Sequence, residues 1–370
     1  MSKTSYCIAV LPGDGIGREV TAATLQVLHA LAPRIGRRFD TVTHPAGAQH
    51  YLDSGVALPE ATLEACRNAD AILFGAMGLP HVRGTDGTEI IPQLDIRFAL
   101  DLYAGVRPIR SFAGLPGPLT DPRAAHIDLV LVRESTEGLF HARGRGRLEG
   151  EGDAQAAFDT MKITRGGTAR VCDFALRLAR KRRAQGKPGR VTNVDKANVF
   201  TSMAFFRRIF DEQAPGFPTV AADHCYIDAM ALNLVRRPWD YDVIVTENMF
   251  GDILSDLGAG LIGGMGMAPS GDVGDRHALF QPAHGSAPDI AGTGKANPTA
   301  MLLSAVMMLE WLAERHGLPA CSEAADRLRS AVERPFRQGR VKPFEFGGSS
   351  GTAEITRAVV EALRVDARER

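Results

Sequence analysis

Short runs of consecutive apolar residues alternate along the chain with longer stretches in which apolar residues recur every three or four positions. The runs predict β-strands covered on both faces, because a strand with one solvated face would alternate apolar and polar residues. The stretches predict amphipathic helices. Strands are predicted at residues 7–11, 71–74, 129–132, 191–194 and 242–246, and helices at residues 17–31, 167–182, 227–235, 252–262, 298–315 and 353–364. This order predicts an α/β protein with mostly parallel strands.

The composition is that of an ordinary globular protein. The 370 residues include 43 basic and 43 acidic side chains, and the zero formal charge argues against a general nucleic-acid binder. The length suggests about two domains. Five scattered cysteines without a C-x-x-C spacing indicate reduced thiols rather than a disulfide framework or a zinc site. No signal peptide is visible, and residues 301–312 are too short an apolar stretch for a membrane span, so a cytoplasmic protein is expected.

Two glycine-rich segments lead to different predictions. Residues 11–17 read LPGDGIG between a predicted strand and helix, but Arg18 stands where the G-x-G-x-x-G motif of dinucleotide-binding turns requires glycine. A tight turn that needs small residues is therefore favoured over a dinucleotide motif. Residues 141–152 read HARGRGRLEGEG and have no apolar periodicity, which predicts a surface arm or a flexible hairpin.

Three aspartates are candidate metal ligands. Asp252 and Asp256 are four residues apart in a predicted helix, so both carboxylates lie on one face and repel each other. A divalent cation between them would remove this repulsion, and oxygen ligands favour Mg²⁺ or Mn²⁺. Alternatively, Asp252 stabilises the helix N-terminus while Asp256 faces solvent. Asp228 lies among apolar neighbours and would serve either as a third ligand or as a helix N-cap.

A lysine and three arginines flank the predicted strands and helices. Lys196 follows a buried strand, where it would act as a base or simply pair with Asp195 on the surface. Arg97, Arg107 and Arg133 each adjoin an apolar segment. Three converging guanidinium groups would bind a di- or tricarboxylate, since each can hold a carboxylate through two hydrogen bonds. Ordinary ion pairing with nearby acidic residues is the alternative, and the candidates are Asp95, Asp101 and Glu134.

The order of these motifs resembles the isocitrate/isopropylmalate dehydrogenase family, the metal-dependent, NAD(P)-linked β-decarboxylating dehydrogenases of 2-hydroxy acids. The resemblance extends from about residue 6 to residue 363, and the members that act on 3-isopropylmalate are the most similar. It rests on the segments LPGDGIGREV, DLYAGVRP, VRESTEG, VDKAN, DHCYIDAM, FGDILSD, HGSAPDIAGTGKANPTA and GGSSGTAE.

The resemblance implies a two-domain, non-Rossmann α/β fold with an interdomain cleft. Residues 1–106 and 264–370 would form the larger, cofactor-binding domain. Residues 107–263 would form the smaller domain, which binds metal and dimerises through a clasp arm near residues 141–165. Each active site would combine residues from both subunits of a homodimer.

The resemblance also assigns site residues. It implies that carboxylates of the substrate are bound by Arg97, Arg107 and Arg133, and that the metal is bound by Asp252, Asp256 and the partner subunit's Asp228. Lys196, with Asp228, would act in catalysis across the subunit interface. The cofactor would contact Asn198, His284, Gly285, Ser286, Ala287, Asp289, Ile290 and Asn297. Asp289 indicates NAD, because a carboxylate accepts hydrogen bonds from ribose hydroxyls and repels the 2′-phosphate of NADP. Asn297 is also a candidate helix N-cap.

The sequence departs from the family pattern at two places. Phe140 stands where the family has a tyrosine that donates a proton, and His141 or water would have to replace it. In the substrate-reading segment, Ile90, Gln93 and Leu94 favour an apolar or small C3 substituent over a third carboxylate.

These residues predict NAD- and Mg²⁺- or Mn²⁺-dependent oxidative decarboxylation of a 3-substituted malate, similar to 3-isopropylmalate, to a 2-oxo acid and CO₂. D-malate and tartrate are the alternative substrates. A catalytically silent paralogue that acts as a subunit is a further alternative, which Phe140 favours. The retained aspartates and Lys196 count against it, because a decayed site is expected to lose its charged ligands.

Overall fold

The computed structural model describes residues 5–85 and 87–365, so residues 1–4, 86 and 366–370 of the predicted larger domain lie outside the described residues. Strands and helices follow one another in the order β1 (Ser5–Leu11), α1 (Gly17–Leu31), β2 (Arg38–Thr43), α2 (Ala48–Ser54), α3 (Glu60–Asn68), β3 (Ala71–Phe74), α4 (Pro92–Ala99), β4 (Ala104–Arg110), β5 (Asp128–Glu134), β6 (Arg147–Glu149), β7 (Ala156–Phe158), α5 (Arg165–Ala184), β8 (Arg190–Asp195), α6 (Thr201–Gln213), β9 (Ala221–Tyr226), α7 (Ile227–Arg236), β10 (Val243–Thr246), α8 (Asn248–Leu261), β11 (Pro269–Val273), β12 (Ala278–Pro282), α9 (Thr299–His316), α10 (Pro319–Arg337) and α11 (Thr352–Val365). The predicted α/β class is confirmed.

The chain divides into two compact units. The first comprises Met1–Leu100, Ser111–Pro118 and Ala259–Arg370, and the second comprises Asp101–Arg110 and Leu119–Gly258. Residues 101–106, predicted to belong to the larger domain, lie in the second unit because β4 pairs with β5 along its whole length. Residues 259–263, predicted to belong to the smaller domain, lie in the first unit.

In the first unit the strand order is β2-β1-β3-β12-β11. The four neighbouring strands β2, β1, β3 and β12 run parallel to one another, whereas β11 and β12 form an antiparallel hairpin. Helix α9 packs against this hairpin, and eleven of its residues are buried. Its long apolar sequence therefore belongs to a core helix. None of the helices in the described part of the chain is long and apolar enough to cross a membrane.

In the second unit the strand order is β4-β5-β10-β8-β9. β4 and β5 are antiparallel, and the other neighbouring pairs are parallel. The core lies between this sheet and helices α5 and α6, where Phe206 and Phe210 are buried against Val191 and Val243. Strands β6 and β7 form a separate exposed antiparallel hairpin in which Arg147 is opposite Phe158. This is the hairpin that the glycine-rich segment predicted.

The turn between β1 and α1 is held in place by the carboxylate of Asp14. This side chain is buried and accepts hydrogen bonds from three backbone N–H groups. They belong to Ala48 at 2.7 Å, Gln49 at 2.9 Å and Gly78 at 2.9 Å. Gly15 has a φ of 50°, and a methyl group there would lie 2.0 Å from the carbonyl oxygen of Ser286. The prediction of a tight turn that needs small residues is therefore confirmed.

Asp14→Asn should lower the free energy of unfolding by about 1–3 kcal/mol, because an amide has one acceptor oxygen and turns its NH₂ group toward a backbone N–H. Asp53→Asn is the matched control, since Asp53 is exposed and accepts one hydrogen bond, at 3.0 Å, from the Gln49 side chain. We expect its effect to stay within about 0.5 kcal/mol. Urea unfolding followed by circular dichroism measures both, and equal losses in the two variants would contradict the anchoring role.

Candidate active site

Arg133 lies near the end of β5 with its guanidinium buried in the second unit. Its Nε donates a hydrogen bond to Asn248 Oδ1 at 2.8 Å, and its Nη1 donates to the carboxylate of Asp252. Both acceptors belong to the first five residues of α8. A buried guanidinium requires such partners, because its charge loses hydration. Arg133 therefore ties the end of β5 to the start of α8.

Glu247 caps α8. Its buried carboxylate accepts hydrogen bonds from the backbone N–H groups of Met249 at 3.0 Å and Phe250 at 2.7 Å, which the start of a helix leaves unpaired. Burial raises the pKa of the Glu247 carboxyl, while these hydrogen bonds and the charge of Arg133 act in the opposite direction. The cap explains why α8 begins at Asn248, four residues before the predicted start.

Asp252 and Asp256 are exposed and lie one turn apart on α8. Partial burial raises the pKa of the Asp256 carboxyl, the charge of Asp252 raises it further, and Arg133 and Arg107 lower it. The two carboxylates therefore repel each other, as their spacing predicts. Such oxygen ligands suit a hard divalent cation. No group of three His, Cys, Asp or Glu side chains among the residues described could hold a metal.

Lys196 and Asp228 form an ion pair elsewhere in the second unit, with 2.8 Å between Lys196 Nζ and Asp228 Oδ1. This hydrogen bond lowers the pKa of the Asp228 carboxyl. Asp195 instead binds the guanidinium of Arg207 at 2.7 and 2.8 Å, so the alternative pairing of Lys196 with Asp195 is wrong. Asp228 lies inside the first turn of α7, two residues after the N-cap Tyr226, so its alternative prediction as the helix N-cap is wrong. Asn198 is exposed.

Phe140 lies beneath Arg133, with 5.0 Å between its ring centre and the guanidinium carbon. This distance is that of a cation–π contact. In the next residue, His141, the ring nitrogens Nδ1 and Nε2 are 3.0 and 2.6 Å from Arg145 Nη1. Burial and then the charges of Arg145 and Lys162 lower the pKa of His141. These effects disfavour the protonated imidazole that a general acid needs.

Arg97 lies in the first unit, on α4, and its side chain is buried. Its Nη2 donates to Asp272 on β11 at 3.0 Å, and Gln281 also donates to Asp272, at 3.2 Å. The Nε of Arg97 is buried without a hydrogen-bond partner. Its ion-pair partner is thus the distant Asp272. Arg107, buried on β4 of the second unit, affects the pKa of Asp256 as described above.

The predicted cofactor loop lies in the first unit. His284 Nδ1 is 2.8 Å from the carbonyl oxygen of Gly285, but its Nε2 is buried without a hydrogen-bond partner. Burial lowers the pKa of His284 and so disfavours the protonated imidazole. No atom lies within 4 Å of a Cβ added at Gly285, and Asp289 is exposed. An unpartnered ring nitrogen, open space and an accessible carboxylate fit a bound nucleotide.

The same loop is fixed at both ends by hydrogen bonds. The carbonyl oxygen of Ser286 accepts the N–H of Ile16 at 2.8 Å, and Ala287 has a φ of 36°, which side chains rarely adopt. Ile290 is half-buried. Asn297 Oδ1 accepts the N–H of Thr299 at 3.1 Å, which confirms its predicted capping of α9.

Sequence reasoning did not identify three residues that fix the site: Asn248, Asp272 and Glu345. Asn248 has a local signal, since it follows Glu247 at the start of a helix. Glu345, whose carboxylate lies 2.6 Å from Asn297 Nδ2, has none. The partner of Asp272 is 175 positions away in sequence, so only the folded chain shows the contact.

Comparison with known proteins decides the family. The sequence profile of the isocitrate/isopropylmalate dehydrogenases matches residues 7–360. The chain belongs to the isocitrate/isopropylmalate dehydrogenase family. It is therefore an oxidoreductase that acts on a CH–OH group, in a family of decarboxylating dehydrogenases.

Similar members of the isocitrate/isopropylmalate dehydrogenase family match over almost their full length. The 3-isopropylmalate/3-methylmalate dehydrogenase of Methanocaldococcus jannaschii is 42% identical over 358 residues, which are 96% of this chain and 98% of that protein. The 3-isopropylmalate dehydrogenase of Aquifex aeolicus is 40% identical over 365 residues, 97% of each chain. The crystal structure of isocitrate dehydrogenase from Methylococcus capsulatus has a TM-score of 0.84 at 36% identity and covers 97% of this chain and 99% of its own. The expected fold of the family is thereby confirmed.

Gly251 allows α8 to approach β5. A methyl group there would lie 2.6 Å from both Cβ and Cγ of Arg133. Gly251→Ala should therefore destabilise this family member by about 1–3 kcal/mol through overpacking, although alanine favours helices. Gly260→Ala on the same helix meets no atom within 4 Å and should be neutral or up to about 1 kcal/mol stabilising. Urea unfolding measures both, and the close contact has no consequence if the two variants behave alike.

Proposed function

We propose that this protein is an NAD-dependent, Mg²⁺- or Mn²⁺-dependent dehydrogenase that oxidatively decarboxylates a 3-substituted malate similar to 3-isopropylmalate. The observation that carries the proposal is the arrangement of Arg133 with Asp252 and Asp256, which combines a carboxylate-binding cation with two oxygen ligands on one helix. The relatives named 3-isopropylmalate dehydrogenase support this substrate class. The site's place in an interdomain cleft, and the protein's place in the cytoplasm, stay predictions.

The metal assignment fits the donors present. Asp252 and Asp256 supply carboxylate oxygens on one helix face. Burial and then the charge of Asp252 raise the pKa of Asp256, and a bound cation would remove the repulsion between the two carboxylates. A divalent cation held there would supply Lewis-acid polarisation of the substrate's oxygens. Two protein ligands leave room for a third, and we propose the partner subunit's Asp228.

The arginines are proposed to orient the substrate. Arg107 and Arg133 are buried in the second unit and would each contact a substrate carboxylate, Arg133 doing so beside the hydrogen bonds that it donates to Asn248 and Asp252. Arg97 is the third candidate. Since Asp272 already occupies its Nη2, Arg97 would bind substrate through its remaining N–H groups, held in a fixed position by that ion pair.

Lys196 is proposed to take part in removing the proton of the substrate hydroxyl. Asp228 accepts a hydrogen bond from its Nζ at 2.8 Å and would exchange protons with it. Both residues lie in the second unit. The proposed assembly is a homodimer in which Lys196 and Asp228 complete the site of the partner, with the clasp arm near residues 141–165.

The loop from His284 to Asn297 is proposed to hold the adenosine part of NAD, which supplies the hydride acceptor. The unpartnered Nε2 of His284 would accept a hydrogen bond, and Ser286, Ala287 and Ile290 would shape the loop around it. The exposed carboxylate of Asp289 would accept hydrogen bonds from ribose hydroxyls. Asn198 would lie near the nicotinamide.

Phe140 favours a second candidate function. Its ring has no hydroxyl, and the lowered pKa of the neighbouring His141 makes that residue a poor replacement as proton donor. A catalytically silent subunit would tolerate this loss. The paired Lys196 and Asp228 and the two aspartates of α8 favour the active enzyme, with D-malate and tartrate as alternative substrates.

A substrate panel tests the proposal. With Mn²⁺ present, we expect NADH from 3-isopropylmalate at a higher rate than from D-malate, tartrate, isocitrate or homoisocitrate, and less product with NADP. Absorbance at 340 nm measures NADH, and CO₂ release is measured in parallel. Chelation with EDTA should abolish the reaction. The protein is not this enzyme if it binds NAD and Mn²⁺ but produces NADH from none of these substrates.

Asp256 provides the variant for the same assay. Asp256→Asn should lower kcat/KM about 10²-fold or more, and higher Mn²⁺ should restore part of the activity, because the amide is a weaker ligand. Asp326→Asn is the control, since Asp326 is an exposed partner of Arg329 in the first unit. A loss of activity that does not change with Mn²⁺ concentration contradicts the ligand role.

Phe140→Tyr should raise kcat by about 10²-fold or more if proton donation limits the reaction, because general acid catalysis contributes ~10²–10⁴ in rate. Phe158→Tyr is the matched control, with its ring 5.1 Å from the Arg147 guanidinium on the exposed hairpin. Steady-state kinetics and the ratio of CO₂ to NADH measure the effect. An unchanged rate and ratio in Phe140→Tyr would mean that the hydroxyl is not needed.

A further inference from the structure

Asp195 directly precedes Lys196, yet its carboxylate is occupied by other donors. Its Oδ1 accepts hydrogen bonds from the backbone N–H of Ala197 at 2.9 Å and from Arg207 Nη2 at 2.7 Å. Its Oδ2 accepts from Arg207 Nε at 2.8 Å and from Asn193 Nδ2 at 2.6 Å. Since a carboxylate has about four acceptor sites, these four bonds use the whole capacity of the buried Asp195 side chain.

One aromatic ring contacts both the partner of Asp195 and the lysine. The guanidinium carbon of Arg207 lies 5.0 Å from the ring centre of Tyr226, and Lys196 Nζ lies 5.8 Å from it. Both distances are within the range of cation–π contacts. Tyr226 is opposite Asp195 in the parallel pairing of β8 with β9, so its ring lies at the end of β8 that Lys196 follows. From this ring the ammonium of Lys196 reaches Asp228, at 2.8 Å.

Arg207 prevents Asp195 from competing for the lysine. A buried carboxylate that loses its guanidinium needs another cation, because its charge has lost hydration. Lys196 is the next residue in sequence, and its Nζ lies against the ring that Arg207 also contacts. Arg207 thus satisfies Asp195 and leaves Lys196 to the exposed carboxylate of Asp228.

We propose that Asp195, Arg207 and Tyr226 are positioning residues, which hold the ammonium of Lys196 on its aspartate partner. The inference deepens the proposed function, and it rests on the role given there to Lys196. Asp195 fixes the backbone that follows the lysine, Arg207 occupies Asp195, and the ring of Tyr226 supports the ammonium. All three act through Lys196 and not on the substrate.

Arg207→Gln leaves the buried Asp195 carboxylate without its guanidinium, so we expect Lys196 to turn toward it. In the NADH assay kcat should fall about tenfold or more, because a small displacement of a reacting group costs up to ~10²-fold in rate. KM should stay within about twofold, since the groups that bind the substrate carboxylates are unchanged. Combining Asp195→Asn with Arg207→Gln removes the unpaired charge and should raise kcat about threefold or more above that of Arg207→Gln alone.

Arg182 and Asp242 provide the matched control. Asp242 is buried, binds Arg182 Nε at 2.6 Å and likewise accepts hydrogen bonds from backbone N–H groups. This pair lies at the opposite end of the sheet, because Asp242 precedes β10 whereas Lys196 follows the parallel β8. Arg182→Gln should lower stability as Arg207→Gln does, while kcat stays within about twofold. A merely structural role predicts equal changes in the two arginine variants.

Tyr226 allows a measurement that does not need activity. Its side chain is exposed, so Tyr226→Leu should fold even where Arg207→Gln does not, and Tyr226→Phe keeps the ring. Brief acetylation with acetic anhydride, followed by mass spectrometry, reports how firmly Lys196 is held. Relative to the exposed Lys187 of the same unit, Lys196 should be acetylated about threefold or more faster in Tyr226→Leu than in the wild type or Tyr226→Phe.

Failure of the proposed function can be told apart from failure of this inference. If the wild type forms NADH from none of the substrates, the proposed function fails, and acetylation of Lys196 still decides the positioning role. With an active wild type, the positioning role is overturned if Arg207→Gln loses no more kcat than Arg182→Gln, or if the double variant is no faster than Arg207→Gln. It is also overturned if Lys196 is acetylated at the wild-type rate in Tyr226→Leu.

Discussion

The buried guanidinium of Arg133 is the interaction on which the geometry of the candidate site depends. A guanidinium that loses its hydration needs acceptors in its plane, and Asn248 and Asp252 supply them. The face of the same group is covered by the ring of Phe140. The N–H groups of the guanidinium thus bind α8, while its flat face contacts the turn that carries Phe140. One residue of β5 therefore positions both elements. This close approach of α8 to Arg133 requires glycine at position 251, because any side chain there would collide with Arg133.

Several buried apolar strands and periodic helices could be predicted from the sequence, but the buried strand β12 and the long amphipathic helix α10 were missed. The five predicted strands are all present, and α1 has the predicted bounds. β9 was missed because it reads AADHCY and is mostly exposed, so it has no apolar run. β4 was missed because Pro108 lies inside it, and proline is unusual within a sheet. In both cases the paired neighbour, not the local sequence, stabilises the strand.

In the candidate site, features set by local spacing could be predicted, whereas contacts between distant segments could not. The shared face of Asp252 and Asp256 depends only on helical spacing, so the sequence was enough. The pairing of Lys196 with Asp228 depends on β8 and β9 being parallel neighbours with Asp195 opposite Tyr226, which brings the residues after each strand to the same edge. Since β9 could not be predicted, neither could this pair. The contact of Arg97 with Asp272 is even less local, because it joins α4 to β11.

In the glycine-rich turn after β1, the partners of the backbone N–H groups decide whether the turn can bind a phosphate. A turn that binds phosphate must present free N–H groups, whereas here the N–H groups of Asp14, Ile16 and Gly17 are bonded to backbone carbonyls. The carboxylate of Asp14 would also repel a phosphate. Instead, Gly15 packs against Ser286, and Ile16 donates to its carbonyl oxygen. The turn therefore supports the loop that contains the unpartnered nitrogen of His284, which is the loop proposed to hold the nucleotide.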